Sequence, residues 1–125
     1  MKNIVLVMKR ASLAQGLMTR MASREDVRLY YEPDYTGACA AVRDHHAQVA
    51  LLEVTEGGCC GADYCLGLCA WMRETVPACR LLLMCPERDP AAVQKMIGAK
   101  RNGLIDDFVF YETSLEYLET NLRSL

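Results

Sequence analysis

Short apolar runs alternate with stretches of helical period along the whole chain. The runs are continuous rather than alternating, which is typical of strands buried on both faces of a parallel sheet. They lie at residues 4–8, 27–31, 48–54, 80–85 and 105–110. The stretches between and after them place apolar side chains three or four residues apart, which predicts amphipathic helices. The pattern therefore predicts five strands and five helices in strict alternation.

Several polar residues mark where these helices are expected to begin. The candidate N-caps are Ser12, Asp63, Asp89 and Ser114. Asp89 is followed by Pro90, which suits the first helical position because the N–H that proline lacks would have no partner there. The second helix is expected to begin at Thr36 or Gly37 and to run through His45.

Buried strands joined by helices favour a three-layer α/β sandwich with a five-stranded parallel sheet. The crossovers in such a fold are right-handed, so helices cover both faces of the sheet. Ligand sites in these folds lie at the carboxyl ends of the strands. The residues directly after each strand are therefore the ones to search for chemistry.

Composition and charge narrow the class of protein. The 125 residues are the length of one domain, 52% of them are apolar, and the net charge is −2. We expect a single domain over residues 1–125 with no electrostatic footprint for nucleic acid. The apolar runs are too short to span a membrane, no signal-peptide pattern is visible, and the seven cysteines are odd in number. These features indicate a cytoplasmic protein.

Four segments carry a resemblance to a known family. The sequence reads KNIVLV at residues 2–7, VALL at 49–52, DDFVFY at 106–111 and SLEYL at 114–118. In this order and spacing they resemble the receiver domain of bacterial response regulators over essentially all 125 residues. The resemblance implies a flavodoxin-like (βα)5 fold with strand order 2-1-3-4-5. It also implies a role in two-component signal transduction, in which a histidine kinase phosphorylates an Asp.

The residues that this chemistry requires are replaced. The family places a Mg²⁺-binding acidic pair, a phosphoacceptor Asp, a Ser or Thr and a Lys after successive strands. The residues at those places here are Met8 and Lys9, Glu53, Met84 or Cys85, and Tyr111. A thioether and a cation cannot form a site for a hard cation. The sequence therefore indicates a degenerate receiver, a non-catalytic signalling or protein-interaction module that works without phosphorylation and without a cofactor.

Glu53 has two interpretations that the sequence leaves open. It forms a structural ion pair with Lys9 or Arg10 and accepts a hydrogen bond from Tyr111, or it imitates the phosphorylated state and holds one conformer. Phe108 stands where the family has its switch aromatic. A core phenylalanine is the alternative interpretation for that residue.

The fourth helix, fifth strand and fifth helix form the face where receivers usually meet partners. Its charges are Lys95, Lys100 and Arg101 on one helix, and Glu112, Glu116 and Glu119 on and just before the other. A two-fold axis would bring the basic helix of one copy to the acidic helix of the next. We therefore expect a protein partner, and specifically a homodimer through this face; an ordinary solvated surface is the alternative.

Two further functions remain as alternatives. One is an atypical phosphoreceiver that uses Glu53, Glu56 or Asp107. The other is a flavodoxin-like cofactor or metal carrier, which the loop at residues 9–12 disfavours because it has no glycine to cradle a phosphate. The cysteines that could hold a metal or sense redox are Cys59, Cys60, Cys65 and Cys69. Their spacing lacks a C-x₂-C pair, so we expect core residues and no metal site.

Overall fold

The computed structural model of the chain describes residues 1–58 and 60–125. The strands are β1 Lys2–Val7, β2 Val27–Glu32, β3 Val49–Glu53, β4 Arg80–Cys85 and β5 Asp107–Phe110. The helices are α1 Ala11–Met21, α2 Ala38–Asp44, α3 Ala62–Thr75, α4 Pro90–Arg101 and α5 Leu115–Ser124. The five strands are parallel and lie in the order β2-β1-β3-β4-β5. This confirms the predicted fold class and strand order.

Two apolar layers cover the sheet. One layer packs α1 and α5 against it, and the other packs α2, α3 and α4. Side chains alternate between the faces of a strand. Along β3 and just beyond, Ala50, Leu52 and Val54 lie in the layer of α2, α3 and α4. Val49 and Leu51 lie in the layer of α1 and α5, and Glu53 continues that alternation toward the start of α1.

The predicted strand ends are correct to within two residues. The bounds of β4 are as predicted, whereas β3 lacks the outer residue at each end and β5 begins at Asp107 rather than at residue 105. β1 extends back to Lys2 because that residue pairs with Val27 of β2, and it ends before Met8, where the chain turns into α1. A search for apolar runs does not find polar residues at a strand end, even where they pair with a neighbouring strand.

Two of the four predicted N-caps are confirmed. The side chain of Asp89 accepts a hydrogen bond from the N–H of Ala92, and that of Ser114 accepts one from the N–H of Tyr117. Ser12 and Asp63 are not N-caps, because α1 begins after Arg10 and α3 begins after Gly61. Neither of those capping residues supplies a side-chain cap.

The second helix begins as predicted, with Gly37 as its N-cap, and ends one residue before His45. A 3₁₀ turn, Tyr35–Gly37, comes first, and the Asp34 side chain caps it by accepting from the N–H of Thr36. The α-helix then runs only from Ala38 to Asp44. Among the described residues, no helix is long and apolar enough to cross a membrane.

Candidate functional site

A polar cluster lies at the carboxyl ends of β1, β3 and β5. Glu53 is the last residue of β3 and is only 2% exposed. Lys9 and Arg10 follow β1, and Tyr111 follows β5. The parallel sheet brings these side chains to one edge, as expected for a doubly wound fold.

The Glu53 carboxylate is held by three N–H donors. Its Oε1 accepts from the backbone N–H of Lys9 at 2.8 Å and from that of Arg10 at 3.1 Å. Its Oε2 accepts from Nε of Arg10 at 2.6 Å. The carboxylate therefore lies at the N-terminus of α1, where the helix dipole favours an anion. Of the two cations expected near Glu53, Arg10 is the one that pairs with its side chain.

The Arg10 guanidinium fills the space above Glu53. Its Nη2 lies 3.1 Å from Sδ of Met84, and its Cζ lies 4.2 Å from the centre of the Tyr111 ring. A thioether is a weak acceptor, and an aromatic face attracts a cation. The guanidinium is thus enclosed by a carboxylate, a sulfur atom and a ring, although 40% of the side chain is still exposed.

The expected hydrogen bond from Tyr111 to Glu53 is absent. The Tyr111 hydroxyl donates instead to the backbone carbonyl of Val54. The ring lies against the guanidinium, which directs the hydroxyl past the carboxylate. Burial, reinforced by the charge of Glu53, raises the pKa of Tyr111, so the hydroxyl keeps its proton. The result is a tie between the β5–α5 loop and the end of β3.

Lys9 and Tyr35 form the second side of the site. Lys9 is exposed, and its Nζ lies 5.3 Å from the centre of the Tyr35 ring. The hydroxyl of Tyr35 donates to the backbone carbonyl of Glu53 at 2.5 Å, and burial raises the pKa of that hydroxyl. The sequence places Tyr35 among the residues that follow a strand, but it gives no sign of this contact with β3.

The remaining replaced positions point into the core. Met8 is fully buried in the layer of α1 and α5, and its backbone carbonyl accepts from the hydroxyl of Tyr31 at 3.1 Å. Cys85 is fully buried in the opposite layer, and burial raises its pKa to about 11. Of the two candidates for the Ser/Thr position, Met84 is therefore the one that contacts the site.

The cysteine cluster is part of the core as far as it is described. Cys59 lies outside the described residues. Cys60, Cys65 and Cys69 are buried in the layer of α2, α3 and α4, and burial raises the pKa of Cys69 to about 12. Sγ of Cys65 lies 3.4 Å from the carbonyl oxygen of Cys60. Within residues 1–58 and 60–125, no group of three or more His, Cys, Asp or Glu side chains could hold a metal ion.

Phe108 is a half-buried residue of β5 that packs against the layer of α2, α3 and α4. It lines a shallow pocket together with Ile97, Lys100 and Arg101. Its ring meets that of Phe110 edge to face, with centroids 5.8 Å apart. The pocket therefore has an apolar floor and two cations at its margin.

Two of the six charges predicted for the partner face lie elsewhere. Glu119 is 5% exposed and points toward the C-terminal end of α1, where Arg20 of that helix and Arg24 just beyond it donate to its two oxygens at 2.5 and 2.6 Å. Lys95 points toward α3, with its Nζ 2.8 Å from Asp63. Both flanks of an amphipathic helix are polar, and helical period does not say which neighbouring element each flank meets.

The other four charged residues are exposed to solvent and can belong to the face of α4, β5 and α5. Glu112, Glu116 and Arg101 are exposed. Lys100 is also exposed, and its Nζ lies 2.9 Å from Asp107 at the start of β5.

Comparison with solved structures identifies the fold. The chain is similar to a DNA-binding response regulator of the LuxR family from Staphylococcus aureus, at 15% identity and a TM-score of 0.78, covering 99% of this chain and 98% of that chain. It is also similar to the beryllofluoride-activated N-terminal receiver domain of RstA from Klebsiella pneumoniae, at 18% identity and a TM-score of 0.76. The match covers 98% of this chain and 97% of that chain.

A CheY-like response regulator receiver domain protein from Methanospirillum hungatei shares 10% identity at a TM-score of 0.77, covering 99% of this chain and 92% of that chain. No family model and no curated protein matches the sequence. At these identities the likeness establishes the fold, which is that of response-regulator receiver domains.

Proposed function

We propose that this chain is a receiver-like signalling module that acts through protein contacts and not through phosphorylation. The observation that supports the proposal is the ion pair of Arg10 and Glu53, at the edge of the sheet where the resemblance to receivers would put phosphoryl transfer. Seven cysteines, an odd number, favour a reducing compartment such as the cytoplasm.

The charge at this edge of the sheet opposes metal binding. Mg²⁺ needs oxygen ligands and keeps several waters around it. The residues at the acidic-pair positions offer a buried thioether, Met8, and an ammonium group, Lys9. Arg10 adds a guanidinium within hydrogen-bond distance of the nearest carboxylate. A thioether and an ammonium group in the place of two carboxylates, with a guanidinium directly after them, support a site that excludes Mg²⁺.

Glu53 is also a poor phosphoacceptor in this setting. Its carboxylate is one methylene longer than that of Asp, which changes the in-line geometry on which positional catalysis depends. Both of its oxygens already accept hydrogen bonds from residues 9 and 10. Attack on phosphorus would require breaking these contacts without a metal ion to offset their loss.

The same contacts tie three loops together. Arg10 belongs to the β1–α1 loop, Glu53 and Val54 to the end of β3, and Tyr111 to the β5–α5 loop. The ion pair, the stacked ring and the Tyr111 hydroxyl join all three without a phosphoryl group. We infer that the module holds one arrangement of these loops permanently and presents a constant surface to its partner.

We further propose that the partner surface is the face of α4, β5 and α5, and that a second copy of the chain occupies it. Its floor is Ile97 and Phe108, and its margin carries Lys100 and Arg101. The acidic residues Glu112 and Glu116 are exposed on the α5 side of the face. A two-fold axis would pair the two margins reciprocally.

A phosphorylation assay tests the central proposal. The protein is incubated with acetyl phosphate and Mg²⁺ and analysed by intact-mass spectrometry, with a functional receiver domain treated in parallel. We expect no mass increase of one phosphoryl group and no Mg²⁺-dependent change in tyrosine fluorescence with beryllofluoride. A stoichiometric label that hydroxylamine removes would instead establish an atypical phosphoreceiver. Peptide mapping would then decide between Glu53, Glu56 and Asp107 as its acceptor.

A further inference from the structure

The donors around Glu53 form a site for an anion rather than for a cation. Two of the three are backbone N–H groups, those of Lys9 and Arg10, and the third is Nε of Arg10. They converge on one carboxylate at the start of an eleven-residue helix whose N-cap residue supplies no side-chain cap. The buried carboxylate is itself the bound anion, so the site is occupied by a part of the chain.

We propose that the turn at residues 9 and 10 is a carboxylate-binding site and that Glu53 is its tethered ligand. The site would accept a small free carboxylate whenever the Glu53 side chain is removed. This inference deepens the proposed function, since it names the group that fills the former phosphoryl-transfer site. The identification of that site rests on the proposed function, whereas the binding of a carboxylate does not.

The tether explains why the site is closed to other anions in the natural protein. A ligand attached to β3 loses no translational freedom on binding, whereas a free anion does. The Arg10 guanidinium also covers the carboxylate from above, against Met84 and Tyr111. A free carboxylate would have to displace a partner already in contact with all three donors.

Acetate is the matched probe for this site. Its two carbons and two oxygens correspond to the part of a glutamate side chain beyond Cβ. The substitution Glu53→Ala removes that part and leaves the backbone donors in place. Acetate can then enter the space and accept from the same N–H groups, restoring a partner to Arg10.

The experiment measures the melting temperature of Glu53→Ala in sodium acetate and in sodium chloride at equal ionic strength and pH. We expect the variant to melt below the wild type and to regain about 3–6 °C at an acetate concentration several times its dissociation constant. The wild type and Glu53→Gln should show no acetate-specific rise, because their side chains fill the space. The amide ¹⁵N–¹H signals of Lys9 and Arg10 should shift in the Ala variant on titration.

Three results would overturn the inference. They are no acetate-specific rise in Glu53→Ala, an equal rise in Glu53→Gln, and a failure of acetate to restore the fold if the Ala variant is unfolded in chloride. None of them depends on the phosphorylation assay, which uses the natural chain. A phosphorylated wild type together with an acetate-responsive variant would refute the proposed function and leave the anion site standing.

Discussion

Arg10 is the residue on which the closed site depends. Its partner Glu53 is almost fully buried. Burying a charged group without a partner is strongly destabilising, because the charge loses its hydration and gains nothing in return. The guanidinium supplies one of the three hydrogen bonds to the carboxylate and the only positive charge among those donors. Removing it leaves the buried Glu53 carboxyl group with two backbone N–H groups as its hydrogen-bond partners.

We expect Arg10→Ala to lower the free energy of unfolding by about 1–3 kcal/mol. Arg43→Ala is the matched control, because Arg43 pairs with Asp44 and both side chains are more than half exposed. That variant should change the stability by less than about 1 kcal/mol. Urea titrations at neutral pH measure the free energy of unfolding of both variants. An equal decrease in the two would show that the Arg10–Glu53 pair stabilises the fold no more than an exposed ion pair does.

At the scale of elements, Asp106 joins two strands and a helix. It lies just before β5, accepts from Arg73 of α3 at 2.7 Å and from Arg80 of β4 at 3.2 Å, and also accepts from the N–H of Leu81 at 2.7 Å. Burial pushes the pKa of Asp106 upward, but the hydrogen bonds from Leu81 and Arg73 outweigh it and hold that pKa below its ordinary value of 3.8. The ionised carboxylate is therefore the form that stabilises the fold.

This carboxylate makes the stability of the protein sensitive to acid. A carboxyl group with a lowered pKa binds fewer protons in the folded chain than in the unfolded one, so its contribution is complete above about pH 4 and is lost as the pH falls through the folded pKa. Asp106→Asn should lower the stability by about 1–3 kcal/mol at neutral pH. The variant should also lose less stability than the wild type between about pH 6 and pH 3.

Urea titrations across that pH range, with Asp44→Asn as the control, measure the difference. Asp44 is two-thirds exposed, so its replacement should leave the wild-type pH dependence unchanged. A parallel pH dependence in Asp106→Asn and the wild type would contradict the assignment of acid sensitivity to Asp106.

The elements themselves could be predicted from the sequence because burial acts locally. A strand covered on both faces must be apolar along its length, as at residues 81–84, and the run is visible without its neighbours. Asp89 and Ser114 are equally local, because each accepts from an N–H three residues ahead. These features need no knowledge of the rest of the fold.

The contacts of the site could be predicted only in part because they are tertiary. The start of α1 is set by Glu53, which is more than forty positions from Arg10 in the sequence, and not by the hydroxyl of Ser12. The direction of the Tyr111 hydroxyl depends on where the Arg10 guanidinium lies. The position of each residue after a predicted strand was enough to place these side chains at one edge of the sheet. Which of them form hydrogen bonds with each other depends on how they pack in the folded chain.

At the scale of the whole molecule, the proposed two-fold contact rests on charges that the fold leaves exposed to solvent. The α4 helix offers Lys100 and Arg101 on one flank and Lys95 on the other, where it meets Asp63 of α3. This asymmetry supplies a matched pair of substitutions on a single helix. Reversing the charges on the first flank should weaken the dimer, and reversing Lys95 should not.

We expect the wild type to sediment as a dimer and the double variant Lys100→Glu/Arg101→Glu as a monomer at the same concentration. Lys95→Glu should remain a dimer, because its side chain points toward α3. A monomeric wild type, or a dimer that survives the double reversal, would contradict the proposed interface.

A mixing experiment separates lost complementarity from lost folding. Glu112→Lys/Glu116→Lys reverses the acidic side of the same face. Each double variant alone would set like charges against each other in a two-fold contact. A mixture of the two restores opposite charges at both halves of the contact only when one copy of each meets. Sedimentation of the equimolar mixture should therefore show a heterodimer that weakens as salt is added, because screening shortens the range of these charges.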